Sequence, residues 1–414
     1  MPFEKSSGPL NLALDLPASR KTERKLMNSV TMQGILERHF PAYRLTHDVP
    51  KYQLRAADAM TKCRTAAMGY HASKCEQGHV IDIHYNSCKH RACPQCARIQ
   101  IERWLDKQRS RLIKCAHFHV IFTIPKQVNL LWVYNSTLLA DFFFCAVRDT
   151  LFKMLENPRH LGAKPGLHAC LQTWGRDLSL HPHIHCLVTA GGLNELGEWV
   201  SLRHPGFLLP GKAVAAVFRG KMLYAIRCAI EAGLLRLPKG MHEQGALNLL
   251  NKLGRAEWNV HICERYAYGE GVVIYLANYV KGGPLSNGRL ISSDSTGVTF
   301  EYKDHHDNKT KKMRLKHGEF IRRILSHVPE VRLRTFRSYG LYYRRNKDLL
   351  NRSRRHFSQP PVKDPDFLGF EEFLKRKGIE RPLICSICGG GVAIIEKHYK
   401  RGAPCVLVPV RKAA

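Results

Sequence analysis

Apolar and polar positions follow two rhythms along this chain, and their order outlines a fold. From Ser29 to Ala67 apolar residues recur at helical spacing among Arg, Lys, Ala and Met, which predicts helix. A compact Cys/His segment, Gly69 to Ala97, interrupts that rhythm, and a basic helix is expected around Ile101 to Ile113. His117-Phe-His-Val-Ile-Phe-Thr-Ile-Pro125 is a β-rich run that Pro125 ends. A long amphipathic helix fits Val128 to Leu155, and two strands joined by a polar loop fit Gly166 to Thr173 and His183 to Thr189. Helical spacing returns over Lys212 to Gly233 and Gln244 to Leu253. Gly271 to Lys281 reads as a short helix stopped by Gly282-Gly283-Pro284. Arg289 to Ile291 and Val298 to Lys303 are β-rich, Lys309 to Arg355 is very basic, and Pro360-Pro361 opens a linker to a last Cys-containing segment. Residues 1 to 28 mix Gly, Pro and Ser without either rhythm and are expected to be loosely ordered. No internal repeat is visible.

This succession predicts an α+β class, an antiparallel sheet with helices packed on one face. The expected organisation is an N-terminal helical segment (1–68), a zinc-binding module (69–110), a central domain (111–305), a basic region (306–358) and a C-terminal Cys-containing segment (359–414). At 414 residues and 44% hydrophobic the chain has ample core material. The most apolar window, Leu130 to Val147, carries Asn135, Ser136, Thr137 and Asp141 between Lys126 and Arg148. It reads as a buried helix, and no membrane partner is expected. The first thirty residues hold no continuous apolar stretch of the kind a secretory signal needs, so a cytoplasmic protein is expected.

Charge narrows the function. Lys and Arg number 65 against 34 Asp and Glu, a net charge of +31. That argues against an ordinary acidic metabolic enzyme and for a polyanionic partner, nucleic acid first. Between Lys309 and Arg355 the cations interleave with Phe336, Tyr339, Tyr342 and Tyr343, so phosphates can be neutralised while rings stack on unpaired bases. Arg314, Arg334, Arg337, Arg344 and Arg345 are the candidate DNA contacts.

The 14 cysteines divide by surroundings. Cys145, Cys170, Cys186 and Cys228 sit singly in apolar runs, as small core residues do. Cys75-x3-His79 and Cys88-x4-Cys93-Pro-Gln-Cys96 offer five soft ligands in a short span. A C-x2-C turn sets two thiolates one metal edge apart, so a closed, structural zinc site is expected. Cys75, Cys88, Cys93 and Cys96 are the favoured set, with His79 competing with Cys88. Cys385-x2-Cys388, with His398 and Cys405 downstream, leaves a second zinc open.

Strand alternation in His183-Ile-His185 turns both imidazoles to one face, where they can chelate a divalent ion. The same pattern in His117-Phe-His119 shows how common it is. Gly271-Val-Val-Ile-Tyr-Leu-Ala-Asn-Tyr279 adds the decisive element. Tyr275 and Tyr279 are i and i+4, one turn apart on one helix face, with Ile274, Leu276, Ala277 and Val280 free to pack. A phenol with a pKa near 10 is a weak nucleophile toward a phosphodiester at neutral pH. An ion on His183 and His185 would polarise the scissile phosphate. The product, a phosphotyrosine, conserves the bond energy for rejoining, and two tyrosines permit two successive strand transfers.

This arrangement resembles the HUH single-strand nucleases (His-hydrophobic-His plus tyrosine). More closely, it is similar to the two-tyrosine rolling-circle transposases of the insertion-sequence ninety-one family. The matching stretches are Asn86-Ser-Cys-Lys-His-Arg-Ala-Cys-Pro-Gln-Cys96, Phe118-His-Val-Ile-Phe-Thr-Ile-Pro125, Thr173-Trp-Gly through His185, Tyr275-x3-Tyr279, and Leu315 through Tyr339-Gly340. The resemblance implies a zinc module, an HUH catalytic domain over 111–305, and strand transfer through single-stranded DNA at element ends and target. It implies metal-ligand roles for His183 and His185, with Mg²⁺ or Mn²⁺, and nucleophile roles for Tyr275 and Tyr279. Such enzymes usually need a third polar ligand, and strand alternation favours His119 over Gln172; His181, before Pro182, falls in the loop. Family members often begin the zinc module Cys-x2-Cys-Gly-His, whereas this chain has Cys75-Glu-Gln-Gly-His79, one thiolate short. Two rivals stand beside this reading, a rolling-circle replication initiator or relaxase and a non-catalytic zinc-ribbon regulator. When bound to DNA the protein would be nucleoid-associated, and a homo-oligomer is left open.

Overall fold

Strands and helices fall into two units in the computed structural model, which describes residues 30–280, 282–304, 307–379, 384–398 and 406–409. In chain order the strands are β1 (Tyr70–Cys75), β2 (Val80–Tyr85), β3 (His117–Thr123), β4 (Lys164–Trp174), β5 (Leu180–Leu193), β6 (Trp199–Ser201) and β7 (Val260–Tyr266). They continue with β8 (Leu290–Ser293), β9 (Val298–Lys303), β10 (Thr310–Leu315), β11 (Phe336–Gly340), β12 (Val392–His398) and β13 (Val406–Pro409). The smaller unit joins residues 64–86 to the segment from Arg381 onward, in an antiparallel sheet of order β13-β12-β1-β2. The larger unit takes in Met32–Cys63 and Ser87–Glu380. The chain passes between the two units at 63/64 and 86/87, with Cys63 and Cys88 onward in the large unit.

The large unit is built on a sheet of order β11-β4-β5-β3-β7, antiparallel throughout, with β6 added to the end of β5. Side chains alternate across it. One face presents Phe118, Val120 and Phe122 of β3, Leu167, Ala169 and Leu171 of β4, and Ile184, Cys186 and Val188 of β5. These bury against the helices Ser136–Leu155 and Gly211–Glu231, through residues such as Phe143, Phe144 and Phe218. The opposite face is covered too, so the expectation of helices on one face alone does not hold. Cys170 of β4 and Leu187 of β5 form an apolar patch there, over which the helix Glu270–Val280 lays Val272, Val273, Leu276 and Ala277, backed by Leu105 of the helix Arg98–Arg109.

Asn135 divides the single long helix expected over Val128 to Leu155. Its amide nitrogen donates to Leu131 O and Arg236 O (both 2.9 Å), and its Oδ1 accepts from Arg236 N at 2.8 Å. Satisfying a distant loop takes the residue out of helical geometry, at φ −138°. The basic stretch from Lys309 is not one surface either. It contributes β10, the amphipathic helix His317–Ser326, β11 and the helix Lys347–His356; the helices bury their apolar sides and β11 is half-buried. Gly340 ends β11 at φ +58°, where a Cβ would lie 1.9 Å from Pro165 O; only glycine fits this close approach to β4. Among the described residues no helix is long and apolar enough to cross a membrane.

Two buried histidines make the large unit acid-sensitive. Burial pushes His168 down to about 3 and His327 down to about 4. His168 stacks on Tyr342 and bonds Ser338 Oγ at 2.9 Å; His327 bonds Leu178 O at 3.0 Å and Thr173 Oγ1 at 3.2 Å. Folded, both stay neutral until well below pH 6.5, whereas the unfolded chain protonates them near that value. The unfolded state thus binds more protons between about pH 4 and 6.5, and stability falls as the pH drops through that window. Each should cost about 2 kcal/mol between pH 7.5 and pH 5. Denaturant titrations at the two pH values should show a smaller difference for His168→Gln and His327→Gln; an unchanged difference in both would contradict the assignment.

Candidate active site and metal centres

All four predicted ligands of the catalytic ion come to one face because adjacent strands place them in register. Cys170 pairs with His185 and Gln172 with His183, while His119 lies opposite Leu187 and Ile121 opposite His185. All of these side chains share the face on which Cys170 and Leu187 lie. His119, Gln172, His183 and His185 are each less than a tenth exposed. His185 is the hub: its Nδ1 lies 2.9 Å from His119 Nε2, its Nε2 lies 3.1 Å from Gln172 Oε1, and its ring is 4.7 Å from that of His183. Since Oε1 can only accept, His185 Nε2 donates in this arrangement and its Nδ1 accepts from His119. His183 Nδ1 donates to His181 O at 2.7 Å, which fixes its tautomer and leaves Nε2 as the unprotonated nitrogen. His181 thus acts through its carbonyl. Burial, and then the neighbouring histidines, hold His185 well below the usual imidazole range; burial and His261 take His119 to about 4. His119 and His185 are therefore held neutral at physiological pH, the state in which imidazole binds cations.

His117 has the opposite fate. Buried on the same strand, its Nδ1 donates to Cys115 O at 2.9 Å and its Nε2 meets Tyr342 Oη at 2.7 Å. It is a core residue, and Tyr342, expected among the base-stacking aromatics, is buried with it. Of the residues expected to pack the tyrosine helix, Leu276 and Ala277 are buried and Val280 is partly so, whereas Ile274 is 41% exposed; Val272 and Val273 take its place. The helix itself forms over Glu270–Val280, and the side chains of Tyr275 and Tyr279 lie outside the described residues.

Two clusters of soft ligands form where one was expected with a second left open. Cys63, Cys88, Cys93 and Cys96 bring four sulfur atoms within 4.8 Å of one another, with Cys88 and Cys96 at 3.7 Å. Hydrogen bonds, first from Cys88, draw the Cys63 thiol far below its ordinary range. Cys75 is not part of this set. It stands with His79, Cys385 and Cys388, again within 4.8 Å. The correction follows from topology. Cys63 caps the helix Lys51–Lys62 and accepts from Cys88 N at 3.5 Å, whereas β1 carries Cys75 away into the small unit. His79 and Cys88 therefore do not compete. Cys405 and the side chain of His398 lie outside the described residues.

Sequence comparison supplies the family. Residues 166–348 match a family model described as "Putative transposase", and residues 35–124 match the "Transposase zinc-binding domain" of the IS91 group. A "Putative transposase y4qJ" from Sinorhizobium fredii is 36% identical over 321 residues, 76% of this chain and 80% of that protein. The chain belongs to the IS91 family of transposases. The "Transposase for insertion sequence element IS801" from Pseudomonas savastanoi pv. phaseolicola is 28% identical over 298 residues, 70% of each chain. No solved structure matches.

The large unit of this transposase also carries a groove of about 940 Å³, lined by Arg334, Arg337 and Arg344 together with Phe336, Tyr339 and Tyr343. Arg345 and Arg314 are not in its lining. Arg314 instead pairs with Asp294 at 2.5 Å. Arg337 is tied to Asp141 and lies 4.3 Å over the Phe144 ring, so it buttresses the groove as much as it charges it. Five further cations of the lining, Lys107, Arg111, Arg148, Arg332 and Lys347, were not among the sequence candidates. Trp104, Lys107, Gln108 and Arg111 follow the i, i+3, i+4, i+7 spacing of one helix face, a signal available in the basic helix expected there.

Proposed function

We propose that this transposase nicks and rejoins single-stranded DNA at insertion-sequence ends by tyrosine transesterification, as an HUH-type enzyme. The observation that carries the reading is one face of one sheet. It bears His119, Gln172 and His183 gathered around His185, and the helix that holds both tyrosines in its sequence packs beside them on Leu187 and Cys170. The donor types suit a divalent ion: His185 lies within hydrogen-bond distance of a second imidazole, His119, and of the Gln172 amide oxygen, with the His183 ring beside it on the same buried face. His183, His185 and either His119 or Gln172 would hold Mg²⁺ or Mn²⁺, which supplies polarisation of the scissile phosphate when bound.

A tyrosine oxygen attacks phosphorus, its proton passing to solvent or a nearby base. The new O–P bond forms as the P–O3′ bond breaks, and the 3′ oxygen leaves as a hydroxyl after protonation. The 5′-phosphotyrosine keeps one phosphoester for another, so a 3′ hydroxyl can later reverse the step without an energy source. Cys63, Cys88, Cys93 and Cys96 act as a closed structural zinc site, with four thiolates and no place for water.

Incubating the protein with labelled single-stranded DNA from element ends should give a covalent adduct on a denaturing gel, with Mg²⁺ or Mn²⁺ and not with EDTA. Tight binding without any adduct to a cognate end would favour a non-catalytic DNA-binding protein. The groove carries a separate expectation. Arg334→Gln and Arg344→Gln should each weaken single-strand binding, and each should reduce the slope of log affinity against log salt by about 0.7. Anisotropy titrations over a salt series would measure it; unchanged slopes would move the DNA path elsewhere.

A further inference from the structure

We propose that Cys75, His79, Cys385 and Cys388 bind a second zinc ion, at a site that is complete only when the C-terminal segment is folded onto the β1–β2 hairpin. The distances are those of a coordination shell. A tetrahedron with Zn–S of about 2.3 Å and Zn–N of about 2.0 Å has S···S edges of about 3.8 Å and S···N edges of about 3.5 Å. Here Cys388 Sγ lies 3.7 Å from Cys75 Sγ, and His79 Nδ1 lies 3.4 Å from Cys75 Sγ and 3.9 Å from Cys385 Sγ. A disulfide needs sulfur atoms about 2.0 Å apart and would leave the imidazole and a further thiol with nothing to bind.

The backbone is shaped for the same purpose on both sides. Between Cys75 and His79 the chain reverses at Gly78 (φ +83°), with Gly78 N donating to Cys75 O at 2.9 Å and Cys75 N to His79 O at 3.1 Å. Between Cys385 and Gly390 it reverses at Gly389 (φ +69°), with Gly389 N donating to Cys385 O at 2.9 Å and Cys385 N to Gly390 O at 2.7 Å. Ile387 N points at Cys385 Sγ from 3.4 Å, the kind of N–H···S contact that favours a thiolate. The two turns meet because β12 pairs with β1 and sets Val392 opposite Cys75.

Each turn supplies two ligands, which is too few for a closed site. The zinc-binding domain match ends at residue 124, so half of this centre lies more than 250 residues beyond it. The missing thiolate of the Cys75-Glu-Gln-Gly-His79 turn is made good by the distant Cys385–Cys388 pair. The ion thereby fastens β12 to the hairpin across the whole intervening chain.

Zinc content of the full-length protein, purified under reducing conditions and dialysed, tests this directly. Two ions per chain are expected in the wild type, and one each in Cys385→Ser/Cys388→Ser and in Cys88→Ser/Cys93→Ser. The first variant should also become sensitive to protease near residue 380. Where a variant fails to fold, Co²⁺ substitution of the wild type answers instead: the thiolate charge-transfer band should correspond to seven thiolates, with one Cys₄ and one Cys₃His spectrum. One zinc in the wild type, two zinc ions retained by Cys385→Ser/Cys388→Ser, or a band of four thiolates overturns the proposal. DNA cleavage is not the readout, so the result is independent of the catalytic reading above.

Discussion

Alanine at His185 should lower metal-dependent strand cleavage by about 10²- to 10³-fold, the usual consequence of losing a group that stabilises transition-state charge. The argument rests on its place between the other candidate ligands. His185 touches both His119 and Gln172 and sits beside His183, so its removal breaks two hydrogen bonds and one proposed metal bond together. His183→Ala should be comparable. His119→Ala and Gln172→Ala separate ligand from positioning residue. The one that binds the ion should shift metal half-saturation strongly and lose activity like His185→Ala; the one that only orients His185 should lose about 10- to 100-fold. Mn²⁺ should half-saturate below Mg²⁺, because imidazole nitrogen suits the softer ion better. Single-strand binding in EDTA should survive in all four variants, since the cations that line the groove lie elsewhere. Full cleavage by His185→Ala protein would sink the metal assignment.

The histidine face was legible because strand alternation is strict. With period two, His117, His119, His183 and His185 had to share a face once β3 and β5 paired, and Gln172 followed through β4. Alternation alone did not separate the two His-x-His runs. Residue 117 is a core histidine because Tyr342, far along the chain, reaches its Nε2. The cysteines failed for a related reason. Spacing shows which thiols can share a turn, and Cys93 with Cys96 and Cys385 with Cys388 were found that way. It does not show which turns meet. Cys63 lay just past a helix end, 25 residues from its nearest partner, and Cys75 had its partners beyond residue 380. Basic stretches misled in the other direction. Charge density from Lys309 to Arg355 concealed four separate elements, and Glu319 occupies Arg322 and Arg323 while Asp294 occupies Arg314.

Replacing both tyrosines by Phe should abolish the covalent adduct, a loss limited only by assay background, because the proposed mechanism assigns the nucleophile to these two phenols. The single variants carry the more informative result. Four residues of the Glu270–Val280 helix advance about 6 Å along its axis, so positions 275 and 279 cannot both address one phosphate from the same helix position. Successive use on two strands, or a shift of the helix between steps, follows. If one tyrosine initiates, its Phe variant should lose first-strand cleavage as fully as the double variant, while the other should cleave once and stall as a persistent adduct unable to complete strand transfer. If either can initiate, each single variant should retain a large fraction of first cleavage and both should fail at transfer. Mapping the modified tyrosine by mass spectrometry in each variant distinguishes these orders. An adduct in the double Phe variant would show that a different residue is the nucleophile, and the helix packed on the histidine face would then have only a structural part.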